Sequence, residues 1–366
     1  MSENTEKCPY HFVAPTARWR HAVAELPAHE IDPHSGETAP FHITSQTKIM
    51  TAGSCFAQHL SNALLHYGFD YVNAEPGPSW LTTEERKGYN YGTFSARYGN
   101  IYTPRQLLQL AQRSLNLFEP QESAWATTEA NFLDPFRPNI QPRGFSSVAE
   151  LSADRASHLQ AVKDLLQNMD VLIFTLGLTE SWLSKVDGAV FPLCPGCPHG
   201  TFDSNQYEFH NFNVQEMVDD LSQFLKLLAE LNPSAKVILT VSPVPLIATM
   251  EKKHVLPATV ASKSALRAAA DEICRKHANV AYFASYEIVQ HTFMAHEYFA
   301  ADRRSVTPDA VDHVMQTFFR FFAPQEKLIK RDPHATHSQP IFVNPICDEE
   351  QLAAALGQAR TAKSEG

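Results

Sequence analysis

The chain is short of the features that would direct it out of the cytosol. Its N-terminus, MSENTEKCPYHF, is polar and holds no apolar core of a secretory signal. No apolar run approaches the length of a membrane span. Cysteines number 6 in 366 residues, at positions 8, 55, 194, 197, 274 and 347, too few and too scattered for a disulfide scaffold. Basic residues are in deficit, with 30 Lys and Arg against 40 Asp and Glu and a formal net charge of −10. That balance argues against a nucleic-acid partner, because phosphate binding needs a basic face. Internal repeats, low-complexity tracts and a glycine-rich phosphate loop are missing as well. These absences lead us to expect a cytoplasmic protein with reduced thiols, no membrane span and no nucleic acid bound.

What is present is a globular composition, 44% hydrophobic and 10% aromatic. Short apolar runs alternate with helical patterns. TKIMTAG (Thr47 to Gly53), Val171 to Leu176, AKVILTVSPVP and VAYFAS read as buried strands. Helical spacing follows Gly53 and recurs over Ser146 to Met169, VQEMVDDLSQFLKLLAELNP, SKSALRAAADEICRKHAN and TPDAVDHVMQTFFRFF. Gly68 stands where the first helix needs a C-cap, and Thr307 and Pro308 suit the N-cap and first turn of the last one. Glu75 to Pro142 reads as irregular apart from a helix from Pro104 to Leu115, and residues 186 to 213 read as irregular again. Three units follow: an extended arm over 1–46 that packs on a larger domain, an α/β domain over 47–322, and a C-terminal extension over 323–366. Strands alternating with helices imply a mostly parallel sheet covered on both faces. In such sheets the ligand lies beyond the C-terminal strand ends. Gly53-Ser54-Cys55, Gly177-Leu178-Thr179-Glu180 and Ser242-Pro243-Val244-Pro245 would converge there.

TAGSCFAQHL (Thr51 to Leu60) places two candidate nucleophiles at a strand-to-helix corner. Such a corner holds a side chain at the rim of the sheet. Its backbone N–H groups and the helix N-terminus favour negative charge on a thiolate or a developing oxyanion. Cysteine gains most, since its thiolate is the reactive form. The plainer roles for these residues are a small core side chain for Cys55 and a helix cap for Ser54.

GSCFA at Gly53 to Ala57 resembles the signature of the GSCFA domain family. YGNIYTPRQLLQL (Tyr98 to Leu110), FTLGLTESW (Phe174 to Trp182), YEFHNF (Tyr207 to Phe212), SPVPLIAT (Ser242 to Thr249), and HVL with SKSALR (His254 to Arg267) resemble further blocks of it. The resemblance covers roughly residues 45 to 320. It implies a three-layer α/β fold like that of the SGNH or GDSL hydrolases, in which a strand ends in Gly-Asp-Ser and the Ser attacks an acyl carbon. Setting GSC against Gly-Asp-Ser puts Cys55 at the nucleophile position, as does the more distant Gly-Asn-Cys-Gln motif of capsule acetyltransferases. Setting AGS against it favours Ser54. The Gly-x-Asn-Asp block of those relatives matches Gly177-Leu178-Thr179-Glu180, with Thr179 in place of the oxyanion-binding Asn. Asn100 is a second side-chain donor for that purpose. Their closing Asp-x-x-His block matches Asp302 to Ser305, with Ser305 where the His belongs.

A nucleophile here needs another base. His254 ranks first, His210 second, and His59, one helical turn after Cys55, is a local alternative. Lys263, read as starting a helix, is the candidate for holding an anionic group. The Cys194–His199 loop CPGCPH has zinc-ligand residue types but no second Cys-x-x-Cys, so no metal is assigned. The expected function is acyl transfer: an esterase or O-acyltransferase acting on a carbohydrate ester or hydroxyl. Its partners would be a small acyl donor and a carbohydrate acceptor. No cofactor is required, and acetyl-CoA or another acyl donor is the candidate co-substrate. The rival expectation is a glycan- or acyl-binding module without turnover.

Overall fold

The computed structural model describes residues 8–291, 295–327 and Asp348. Its elements in chain order begin with β1 (Ile49–Gly53), α1 (Ala57–His66), α2 (Thr83–Gly88), α3 (Pro104–Ser114), β2 (Trp125–Ala126), β3 (Phe132–Leu133) and α4 (Val148–Asn168). There follow β4 (Val171–Leu176), β5 (Glu180–Ser184), β6 (Val190–Phe191), β7 (Tyr207–Asn211), α5 (Val214–Leu231), β8 (Lys236–Val241) and α6 (Val255–Lys276). The series closes with β9 (Val280–Phe283), α7 (Ser285–Gln290), α8 (Ala295–Tyr298) and α9 (Pro308–Phe322).

The apolar runs β1, β4, β8 and β9 form one parallel sheet in that order. Every residue of β1 and β4 is buried, as a parallel strand covered on both faces requires. The period-2 alternation of strand side chains divides the core in two. Met50, Leu172, Phe174 and Leu239 pack on α3, α4, α5 and α6, while Ile49, Ile173, Ile238 and Phe283 pack on α1, α7 and α9. The result is the expected three-layer α/β architecture.

After α1 the chain turns on a Schellman C-cap. Gly68 (φ +80°) donates to Leu65 O at 3.1 Å and Phe69 N–H to Leu64 O at 3.0 Å. It then returns along the outer edge of β1, where Asp70 O accepts from Ile49 N–H and Val72 N–H donates to Ile49 O, both at 2.9 Å. β4 lies on the other side of β1. The winding therefore reverses at the C-terminal ends of β1 and β4, which is where open α/β sheets place their ligands.

Two stretches read as irregular carry short elements. β5 pairs with β6 and β7 in an antiparallel sheet, and β2 pairs with β3. YEFHN in β7 has no clean apolar alternation, and two-residue strands have none to show. α2 (TEERKG) has no apolar face and is set by a capping box between Thr82 and Glu85. α6 begins at Val255, well before SKSALR, because His254 caps it and Pro257 is tolerated in its first turn.

The arm carries 3-10 turns at Pro9–Phe12, Pro15–Ala17 and Ala28–Glu30 and a π turn at Arg20–Ala24. It is tied down by Phe41 and Ile43, both buried against the α9 side of the sheet. His34 stacks on Phe321 and accepts from Ala284 N–H at 3.1 Å. Of the C-terminal extension, only 323–327 and Asp348 fall within the described residues.

Candidate active site

The polar strand ends do converge. Ser54 N–H donates to Thr175 O at 3.1 Å and Ser242 N–H to Leu176 O at 2.8 Å. The loop before α3 closes over them: Ile101 N–H donates to Gly53 O at 2.9 Å, and Tyr102 O accepts from Gly177 and Leu178 N–H at 2.9 and 3.1 Å. Contact is close enough to dictate glycine twice. A Cβ on Gly53, at φ +141°, would lie 2.4 Å from Thr175 O. One on Gly177 would lie 2.9 Å from Ser54 Cβ and 3.0 Å from Tyr102 Cδ1.

Cys55 is buried in the turn that opens α1. Ala57, Gln58 and His59 N–H donate to the carbonyls of Ser54, Cys55 and Phe56 at 2.9, 3.1 and 3.1 Å, so the first turn is tight. Ser54 does not cap this helix, which has no side-chain cap. Its Oγ is buried and has no hydrogen-bond partner among the described residues. Thr175 Oγ1, on the neighbouring strand end, is buried and unpaired among the described residues as well.

Lys263 is not at a helix start on the surface. It lies on the buried stripe of α6 with Ser262, Leu266 and Ala270 and donates from Nζ to Gly177 O at 2.7 Å. Burying an ammonium costs several kcal/mol, so its place at the corner is not incidental. The i, i+3, i+4 spacing of Thr259, Ser262, Lys263 and Leu266 is the signal that puts it inside. Thr179 donates both its N–H and its hydroxyl to Ser262 Oγ, at 3.2 and 3.0 Å. Of the two side-chain donors named for an oxyanion, Thr179 is thus engaged with α6. Asn100 is buried next to Ile101.

The histidines lie further out. His254 is exposed, and its Nδ1 accepts from Leu256 N–H at 3.1 Å as the cap of α6. No hydrogen bond joins it to Ser54. His210 on β7 pairs through Nε2 with Glu216 Oε1 at 2.8 Å, against the Phe212 ring. Glu180 accepts from Thr249 Oγ1 at 2.5 Å and Met250 N–H at 3.2 Å, which pins the loop after β8 to β5. Burial raises its carboxyl above the usual range. Burial pushes the His59 imidazole down to about 4, so it is neutral at pH 7.

The Asp302–Ser305 block closes on itself. Asp302 accepts from Arg304 and Ser305 N–H, both at 2.9 Å, and from Ser305 Oγ at 2.5 Å. Cys194 and Cys197 flank a Pro-Gly turn in which Cys197 N–H donates to Cys194 O at 2.9 Å. Burial pushes the Cys194 thiol up to about 12.

With this geometry in view, the sequence was compared with known proteins. The GSCFA family matches residues 48–318, from the residue before β1 into α9, and the chain belongs to that family. No curated protein matches it. Among solved structures it is similar to an acetyl xylan esterase from the rumen bacterium Butyrivibrio proteoclasticus, at 14% identity and a TM-score of 0.28. That match covers 76% of this chain and 64% of the esterase. Among the described residues no helix is long and apolar enough to cross a membrane.

Proposed function

We propose that this protein is an acyl-transfer enzyme, an esterase or O-acyltransferase, with its nucleophile at the Gly53–Cys55 corner. The observation that carries the reading is a buried Ser54–Cys55 pair at a helix N-terminus and a sheet switch point, facing a buried Lys263 across Gly177. In this reading Cys55, or Ser54 in the alternative register, attacks the acyl carbon. The helix N-terminus and Asn100 stabilise the oxyanion, and the acyl group then passes to water or to a hydroxyl. His254 serves as the base once its ring leaves the α6 cap. A carbohydrate acceptor and a small acyl donor of the acetyl-CoA class rest on family analogy alone.

A second reading has its own observation. Asp302 and Ser305 satisfy each other, and no histidine stands in that block. A frame built this way suits a glycan- or acyl-binding module without turnover. Hydrolysis of p-nitrophenyl acetate separates the two. Turnover in the wild type, lost by ~100-fold or more in Cys55→Ala or Ser54→Ala and reduced in His254→Ala, supports the enzyme. Turnover that survives both corner substitutions removes the corner from the chemistry.

A further inference from the structure

Behind the loop that closes the corner lies a cluster of arginines. Two of them are fully engaged. Arg97 donates to Tyr89 O at 3.0 Å, Asp154 Oδ2 at 2.9 Å and Ile140 O at 3.0 Å. Arg155 donates to Asp134 Oδ2 at 3.1 Å and Ser123 O at 2.6 Å.

The other two are not. Arg137 binds Asp134 and Asp154 at 3.0 and 2.8 Å, but its buried Nη1 has no partner among the described residues. Arg113, on α3, is only 7% exposed. Its guanidinium lies 4.0 Å over the Phe136 ring and makes no hydrogen bond or ion pair among the described residues. Cation–π attraction is weaker than the desolvation of a buried guanidinium, so the ring alone does not account for the placement. Burial and the neighbouring arginines pull Arg113 down to about 10, still charged at pH 7.

Arg97, Arg113, Arg137 and Arg155 are set among the carboxylates of Glu75, Asp134, Asp154 and Asp348, and burial holds His158 neutral, its pKa down to about 4.

Both incompletely engaged guanidiniums line one cavity of about 30 Å³, with Tyr98, Asn100, Gln106 and Phe136 in its wall. That space exceeds what one water needs and suits the head of a small planar anion. Asn100 adjoins Ile101, whose N–H holds the Gly53 carbonyl, so the cavity begins beside the corner.

We propose that this cavity is a carboxylate subsite, in which Arg113 and Arg137 bind the carboxylate of a ligand from solution. A carboxylate matches the planar donor fork of a guanidinium and would take up the open Nη1 donor of Arg137. The subsite holds whether or not the corner turns over. The chain has one carboxylate of its own at hand. Asp348, in an adjoining crevice that shares Asn100 and Arg137, accepts from Asn139 Nδ2 at 2.6 Å.

The test is thermal unfolding of the full chain titrated with sodium glucuronate, against sodium chloride at equal ionic strength. The expected result is a saturable rise of roughly 2 °C or more over chloride, absent in Arg113→Gln. Should Arg113→Gln fail to fold, Arg113→Lys is read instead, with an apparent affinity weaker by about threefold or more. No response in the wild type or in Asp348→Asn overturns the subsite. A response in Asp348→Asn but not in the wild type overturns the external source and assigns the place to the chain's own carboxylate.

Discussion

The corner at Gly53–Cys55 and the turn at Asp302–Ser305 are the two places where the sequence resemblance sets blocks of hydrolase catalytic residues, yet they are built in opposite ways. At the corner the side chains are buried, Ser54 Oγ lacks a partner among the described residues, and Lys263 is drawn in beneath Gly177. At the turn, Asp302 binds two backbone N–H groups and the Ser305 hydroxyl and stays near solvent. A polar group satisfied by its own turn needs nothing further. A buried hydroxyl without a partner is a cost retained at the corner. Under the proposed function the difference assigns the chemistry to the corner and leaves Asp302–Ser305 as a structural turn.

The sharpest way to break the comparison is through Gly53. Gly53→Ala puts a Cβ against the Thr175 backbone, which cannot move without disrupting the β1–β4 pairing. The expected loss is about 3 kcal/mol or more in urea unfolding, with all corner activity.

Acid is the next lever. Burial pushes His59, on the corner helix, and His158 down to about 4. The unfolded chain protonates its histidines near pH 6.5. Between these values the unfolded state binds more protons, so stability falls as the pH falls from about 6.5 to about 4. His59, shifted by burial alone, contributes on the order of 3 kcal/mol to that loss. Urea midpoints at pH 7 and pH 4.5 should show the drop, and His59→Gln should flatten part of it.

Gly177→Ala should cost about 1–3 kcal/mol by crowding Ser54 and Tyr102, and should lower activity as well. Gly88→Ala, where a Cβ meets nothing within 4 Å, should be neutral or stabilising by up to about 1 kcal/mol. Paired melts of the two variants compare a glycine required by contact with one that is not. The smallest effect belongs to Asp302→Ala, which should cost about 1 kcal/mol or less and leave p-nitrophenyl acetate turnover within about twofold. A large drop there would restore Asp302 to the catalytic set.

The central sheet was legible because its strands are continuous apolar runs that end in glycine or turn residues, and their alternation with helices leaves little topological choice. The corner was legible for the same reason, since Gly53-Ser54-Cys55 ends the first of those runs. Lys263 was half legible: its type stood out, but its burial follows only from its spacing with Thr259 and Leu266. His254 was ranked as a base from its place in a loop, and its capping bond to Leu256 depends on where α6 begins. Arg113 and Arg137 were not legible at all. Their significance depends on which guanidiniums find carboxylates, in pairs as far apart as Arg97 and Asp154, and no local pattern records that.

The most direct test of the account is to quench the protein during reaction with p-nitrophenyl acetate and map the acetyl group by peptide mass. The account predicts the label on the peptide carrying Ser54 and Cys55, lost when both are replaced by alanine and kept in Asp302→Ala. A label confined to other residues, or none at all in a protein that turns the ester over, would contradict it.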